Sequence, residues 1–168
     1  MKIETLLDLF TLKVMTLYDI ETQLVKALPK MAKAASDEEL SASFSDHLEE
    51  TKGQVGRLEE IFEMLDMKPK KSKVEAIAGL IEDAKWCIDQ DPSPELLDAL
   101  LVASARYVEH YEMAGYLSAI AWAESLGLDD AVALLNETLE EERAADEKLG
   151  KAQEKTVQAA NEAGAEEE

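Results

Sequence analysis

Cysteine is almost missing from this chain: Cys87 stands alone, so no internal disulfide can staple the fold. Glycine and proline are also sparse, with 7 Gly and 4 Pro in 168 residues, which excludes a collagen-like or low-complexity chain. Positive charge is short as well. Against 37 Asp and Glu stand 17 Lys and Arg, and the formal charge of -20 repels nucleic acid and anionic lipid. Neither is expected as a partner; cations or basic proteins are. No stretch has the roughly 20 apolar residues of a membrane span or the apolar core of a signal peptide. A reducing cytoplasm is therefore the expected compartment. Period-two alternation, a phosphate loop, a nucleophile elbow and a basic aromatic patch are all lacking.

What is present is apolar residue at helical spacing. Apolar types make up 46% of the chain, enough to bury one core at this length, so a single domain is expected. Ile3, Leu7, Phe10, Val14, Leu17, Leu24 and Leu28 recur in steps near three and four and predict a first helix over 3–35, kinked at Pro29. Ser36 with Glu39 reads as a capping box, opening a second helix that ends near Asp66, before Lys68-Pro69-Lys70-Lys71. A second box, Ser72 with Glu75, leads into a short helix inside the connection. Ser93 and Pro94 then start a third long helix, closed by Gly127, and Asp129 caps a fourth. Past Lys151 the stripe fades. Residues 1–152 are expected to form the bundle and 153–168 an acidic tail, frayed from Asn161. Two short-looped hairpins separated by one long connection predict an all-α fold, a ferritin-like four-helix bundle whose crossover carries a short fifth helix.

Most of the acids belong on solvated faces, but six sit on or beside apolar stripes. Glu21 fills a core slot between Leu17 or Tyr18 and Leu24 or Val25. Glu109 and Glu112, one turn apart, are the only acids between Leu100 and Ala123. Glu142 and Asp146 interrupt the stripe from Leu135 and Leu139 to Leu149. Glu50 borders the second helix's stripe, with His47 before it and Gln54 after it. Ionised carboxylates withdrawn from water need partners, and basic residues nearby are few: Lys52, Arg106 and Arg143. Metal ions can supply the compensation, because carboxylate oxygens suit hard cations and glutamates can bridge two of them inside a bundle. Ordinary alternatives stand beside this reading: an edge residue reaching water, a solvated charge run, or neutralisation at a dimer interface. His47 and His110 read first as rings held by a neighbouring carboxylate and second as ligands. Tyr18, Tyr107, Tyr111 and Tyr116 read as packed rings with bonded hydroxyls, Trp86 and Trp122 as core or interface, and Cys87 as a small buried hydrophobe.

Four ordered segments carry a likeness: YDIETQLVKALPKM from Tyr18 to Met31, HLEETKGQV from His47 to Val55, VEHYE from Val108 to Glu112, and TLEEERAADEKL from Thr138 to Leu149. Over roughly 3–149 they resemble the YciE/YciF family of bacterial ferritin-like proteins. That resemblance implies a dimerising bundle associated with stress and a dinuclear metal site. The acids also resemble the di-iron site of rubrerythrin, with Glu21, Glu50, Glu109, Glu112 and Glu142 at its glutamate positions. Asp146 and Gly53 stand where that family has histidines, which implies an oxygen-dominated site. The resemblance thus implies two iron or manganese ions, chemistry on oxygen or peroxide, a homodimer and an external electron donor. A non-catalytic helical stress protein working by dimerisation or partner binding is the rival expectation.

Overall fold

The computed structural model describes residues 2–166. Five helices account for the architecture: α1 (Leu6–Ala34), α2 (Glu38–Met64), α3 (Glu75–Asp89), α4 (Pro94–Leu126) and α5 (Asp129–Glu166). No strand occurs among the described residues. Each of α1 and α4 buries a stripe, Phe10, Val14, Leu17, Leu24 and Leu28 on the first and Leu101, Val102, Ala105, Val108 and Tyr116 on the second. In the resulting ring α1 lies beside α2 and α4, and α5 beside α4 and α2. The short α3 packs outside the ring on α4 and α1. This is the expected bundle with its helical crossover.

The helix starts differ in detail from the spacing rules. At α1 the cap is Thr5, whose hydroxyl accepts the Asp8 amide at 3.1 Å while the Asp8 carboxylate accepts the Thr5 amide at 2.8 Å. The cap of α2 is Asp37, accepting the Leu40 amide at 3.0 Å, and not the predicted Ser36 box. The Ser36 amide donates instead to the Asp98 carboxylate of α4, 2.8 Å away. The predicted Ser72 box fails too: α3 starts after Val74 with no side-chain cap, while the Ser72 amide donates to the Met15 carbonyl. Gly127 closes α4 at φ 69°, a left-handed conformation that favours glycine. Asp129 lies in the first turn of α5 and not before it. α1 passes through Pro29 and continues to Ala34.

α5 also runs past the point where its apolar stripe fades, because Thr156 is buried and Lys155 pairs with Asp37 and Glu39 across the bundle end at 2.7 Å each. The stretch expected to fray from Asn161 is helix as far as Glu166, and its last two residues lie outside the described ones.

Asp98 is the main tie between the hairpins at that end. Buried at 5% exposure, it accepts the amides of Ser36 and Asp37 at 2.8 and 2.9 Å and so holds the α1–α2 turn against α4. Asp98→Ala leaves both amides without their acceptor, and urea unfolding should show a loss of about 2–3 kcal/mol. A loss inside 0.5 kcal/mol, roughly what an ordinary surface change gives, counts against this role.

Candidate metal centre

Four of the six acids singled out by their stripes converge in the middle of the bundle. Glu21 from α1, Glu109 and Glu112 from α4 and Glu142 from α5 are all buried, at 0 to 3% exposure. The periodicity that buries their apolar neighbours drives them inward: each occupies a stripe position, so the helix cannot bury its leucines without them. His47 of α2 completes the group. One ligand atom each from His47, Glu109, Glu112 and Glu142 lie within 4.8 Å of one another, a group that could hold a metal ion.

Burial pushes the carboxyls of Glu21, Glu109 and Glu112 well above their ordinary range, and neighbouring carboxylates add to the effect, Glu142 beside Glu21 and Glu109, and Glu21 beside Glu112. Glu142 is raised by burial as well, with Glu109 and His47 opposing it. The Tyr116 hydroxyl, fully buried, donates to Glu21 Oε1. Glu21 Oε2, Glu109 Oε2, and both oxygens of Glu112 and Glu142 have no hydrogen-bond partner among the described residues. Buried polar atoms in native proteins are nearly always paired, so this concentration of unpaired carboxylate oxygens fits a divalent cation better than it fits a finished core.

The basic side chains nearby do not relieve the group. Arg106 grips Asp146 from α4, Nε to Oδ1 at 2.8 Å and a terminal nitrogen to Oδ2 at 3.2 Å. Lys52 and Arg143 pair with Glu49 and Glu140 on their own helices. Arg57 binds Glu137 and Glu141 on the seam between α2 and α5.

Glu50 and Asp146 are thus placed apart from the other four acids. Glu50 is about one third exposed and faces His47 Nδ1 at 3.3 Å, and that contact with the ring lowers its carboxyl. Asp146 is lowered by the Arg106 guanidinium and has His110 Nε2 at 3.4 Å. The His47 ring is held by carboxylates, lying between Glu50 at Nδ1 and Glu109 at Nε2, 3.3 and 3.4 Å away. His110, by contrast, is exposed. Tyr18 and Tyr116 have bonded hydroxyls, whereas Tyr107 and Tyr111 are exposed, as is Trp86. Cys87 is buried and free.

Sequence reasoning missed the bracket behind the site. Gln54, fully buried, donates to Glu141 Oε2 at 3.1 Å while its Oε1 has no partner, and Arg57 holds Glu141 in place. A glutamine and an arginine three residues apart signal nothing alone; only their position opposite Glu141 does.

Asp146→Ala tests the division between the groups. Because the Arg106 pair is partly exposed, its removal should cost about 1 kcal/mol or less, with metal content, measured by elemental analysis, unchanged. A fall in metal content would put Asp146 among the ligands.

Compared with known proteins, residues 5–162 match the family described as Domain of unknown function (DUF892). Protein YciF of Escherichia coli (strain K12) is 45% identical over 150 residues, covering 89% of this chain and 90% of that protein. The crystal structure of that E. coli stress protein superposes with a TM-score of 0.89 at 43% identity, over 93% of this chain and 99% of the other. YcfI from Rhodopseudomonas palustris, for which its description suggests a structural role, gives 0.87 at 44% identity, over 89% and 95%.

Proposed function

This chain belongs to the DUF892 family, and from that premise we propose that it is a stress-associated, ferritin-like protein that holds two iron or manganese ions and acts on oxygen or peroxide. One observation carries the proposal: four carboxylates converge in a buried interior with most of their oxygens unpaired among the described residues, and His47 is the one basic side chain that faces them, no lysine or arginine doing so. Glu109, Glu112 and Glu142 would hold the ions with His47 as the imidazole in reach, and Glu21, buried beside Glu112 and Glu142, would join them. Glu50 lies at the rim behind His47, and Asp146 is the acid whose guanidinium partner argues most against a place in the set. Bound there, iron or manganese supplies one-electron chemistry that protein side chains lack.

The chain's own contribution is positioning. Tyr116 fixes Glu21 through its hydroxyl, and Glu50 and Glu109 hold the two faces of the His47 ring nitrogens. Arg57 and Glu141 orient the Gln54 amide so that its carbonyl oxygen stays unpaired in the interior. A donor set this rich in oxygen favours hard cations over thiophilic ones. On the same reading the protein works in the cytoplasm as a homodimer and draws on an external electron donor.

Metal analysis of protein purified without chelator tests the proposal, with about two ions per chain expected from a site able to hold a carboxylate-bridged pair. No metal after aerobic iron reconstitution would refute it. A non-catalytic role, which the description of the R. palustris relative favours, predicts no peroxide loss under single-turnover conditions.

A further inference from the structure

The bundle interior is not filled throughout. Adjoining the carboxylates, toward the α1–α2 turn, lies a cavity of about 30 Å³ lined from all four long helices. His47, Glu109, Glu50, Lys148 and Ser43 supply its polar lining, with Glu50 3.3 Å from His47 and 3.9 Å from Lys148. The rest of its wall is hydrocarbon, with Leu24, Leu28, Phe44, Val108 and Leu149 the large side chains. The space exists because two core positions facing it are alanine, Ala105 and Ala145, at 4 and 6% exposure. A larger aliphatic residue at either would occupy it. Unfilled volume costs a core both contacts and stability, so a void kept open beside a reactive group calls for an occupant.

We propose that this cavity is a binding site for a small uncharged apolar molecule, and that dioxygen is the occupant presented to His47 and Glu109. The choice of dioxygen rests on the function proposed above; the apolar character rests on the wall alone. Roughly 10–15 Å³ by the same measure admits one water-sized body, so the cavity takes one or two small molecules and nothing larger. Water needs two to four polar partners; most of the wall is hydrocarbon that offers none, and of the polar groups that line it Glu50 already faces His47 and Lys148. Peroxide, which must keep its hydrogen bonds, meets the same penalty. A diatomic gas does not.

Xenon is the direct probe, because it reports apolar cavities without any metal present. Crystals of the full-length, metal-free protein held under xenon should show one site bordered by Leu24, Phe44 and Val108. An empty cavity in that experiment overturns the proposal. Ala105→Leu, or Ala145→Leu should the first variant fail to fold, should abolish the xenon site while leaving thermal stability equal or higher and metal content unchanged. In chain loaded with ferrous iron, the same variant should consume oxygen about tenfold more slowly, the change expected when roughly 1.4 kcal/mol of favourable burial is withdrawn. Peroxide consumption should stay as it was. Unchanged oxygen consumption, or equal slowing with peroxide, refutes the assignment to dioxygen. If the wild-type chain takes up no metal, the functional reading fails by itself and the xenon result still decides whether the cavity binds.

Discussion

Glu112→Gln is expected to strip the protein of metal and, in the same stroke, to make the metal-free chain harder to melt. Glu112 is fully buried, both of its oxygens lack a partner, and it lies against Glu21, Glu142 and Glu109. Glutamine keeps the shape and removes the ionisable oxygen. Ligand loss should weaken metal retention by at least about a hundredfold, the upper end of what a mere supporting residue costs. In the metal-free protein the same change removes a carboxyl that burial and like charge both disfavour. Replacing buried ionic groups by neutral ones of similar volume gains about 1–4 kcal/mol in favourable cases, and for a chain of this size each kcal/mol moves the thermal midpoint by about 2–4 °C. Elemental analysis and thermal melts in chelator measure both effects. Retention of two ions by the variant would show that Glu112 is no ligand, and a lower midpoint without metal would show that its carboxylate is paired in the fold.

The second large effect is a release of protons on metal uptake. Glu21, Glu109, Glu112 and Glu142 are all raised, chiefly by burial, so the folded, metal-free protein keeps protons that the unfolded chain gives up. For carboxyls shifted in this direction, the stabilisation is complete below the unfolded value, about 4.3, and is lost as pH climbs through the folded value. Glu50 and Asp146, shifted downward, work the other way: their contribution is present above the unfolded value and lost as pH falls through the folded one. The difference between wild type and Glu112→Gln isolates a raised member. The variant's advantage without metal should grow as pH rises above the unfolded carboxyl value. Because a ligating carboxylate must be deprotonated, manganese added to weakly buffered protein near pH 6 should liberate about one proton per ion or more, with affinity rising as pH rises. Binding without proton release would mean that the acids were already ionised and therefore not buried together.

How much of this could be read from the amino acids alone varies by residue. Glu109 and Glu112 were legible because no other acid lies between Leu100 and Ala123, so helical periodicity left them no solvated face. Glu21 was legible because it fills a slot on the apolar stripe of α1 between Leu17 and Leu24. Asp146 continues a stripe just as convincingly, yet the side chain that takes it, Arg106, comes from a neighbouring helix and leaves no trace in local spacing. The caps divide the same way. Ser36-Glu39 and Ser72-Glu75 satisfy the local rule, but Asp98 and the Met15 carbonyl compete for the serine amides from far along the chain. Helix count, order and the long crossover depend on patterns within one segment, whereas Gln54, Arg57 and Glu141 depend on which segments meet.

The donor atoms are divided between the two hairpins, Glu21 and His47 on the first and Glu109, Glu112 and Glu142 on the second, with α3 between them in the chain. Neither half carries the whole set. On the proposed function, an arriving ion would meet its full set of donors only once the hairpins have docked, so loading would be a late event, and the seated ion would act as a rivet across the docking plane.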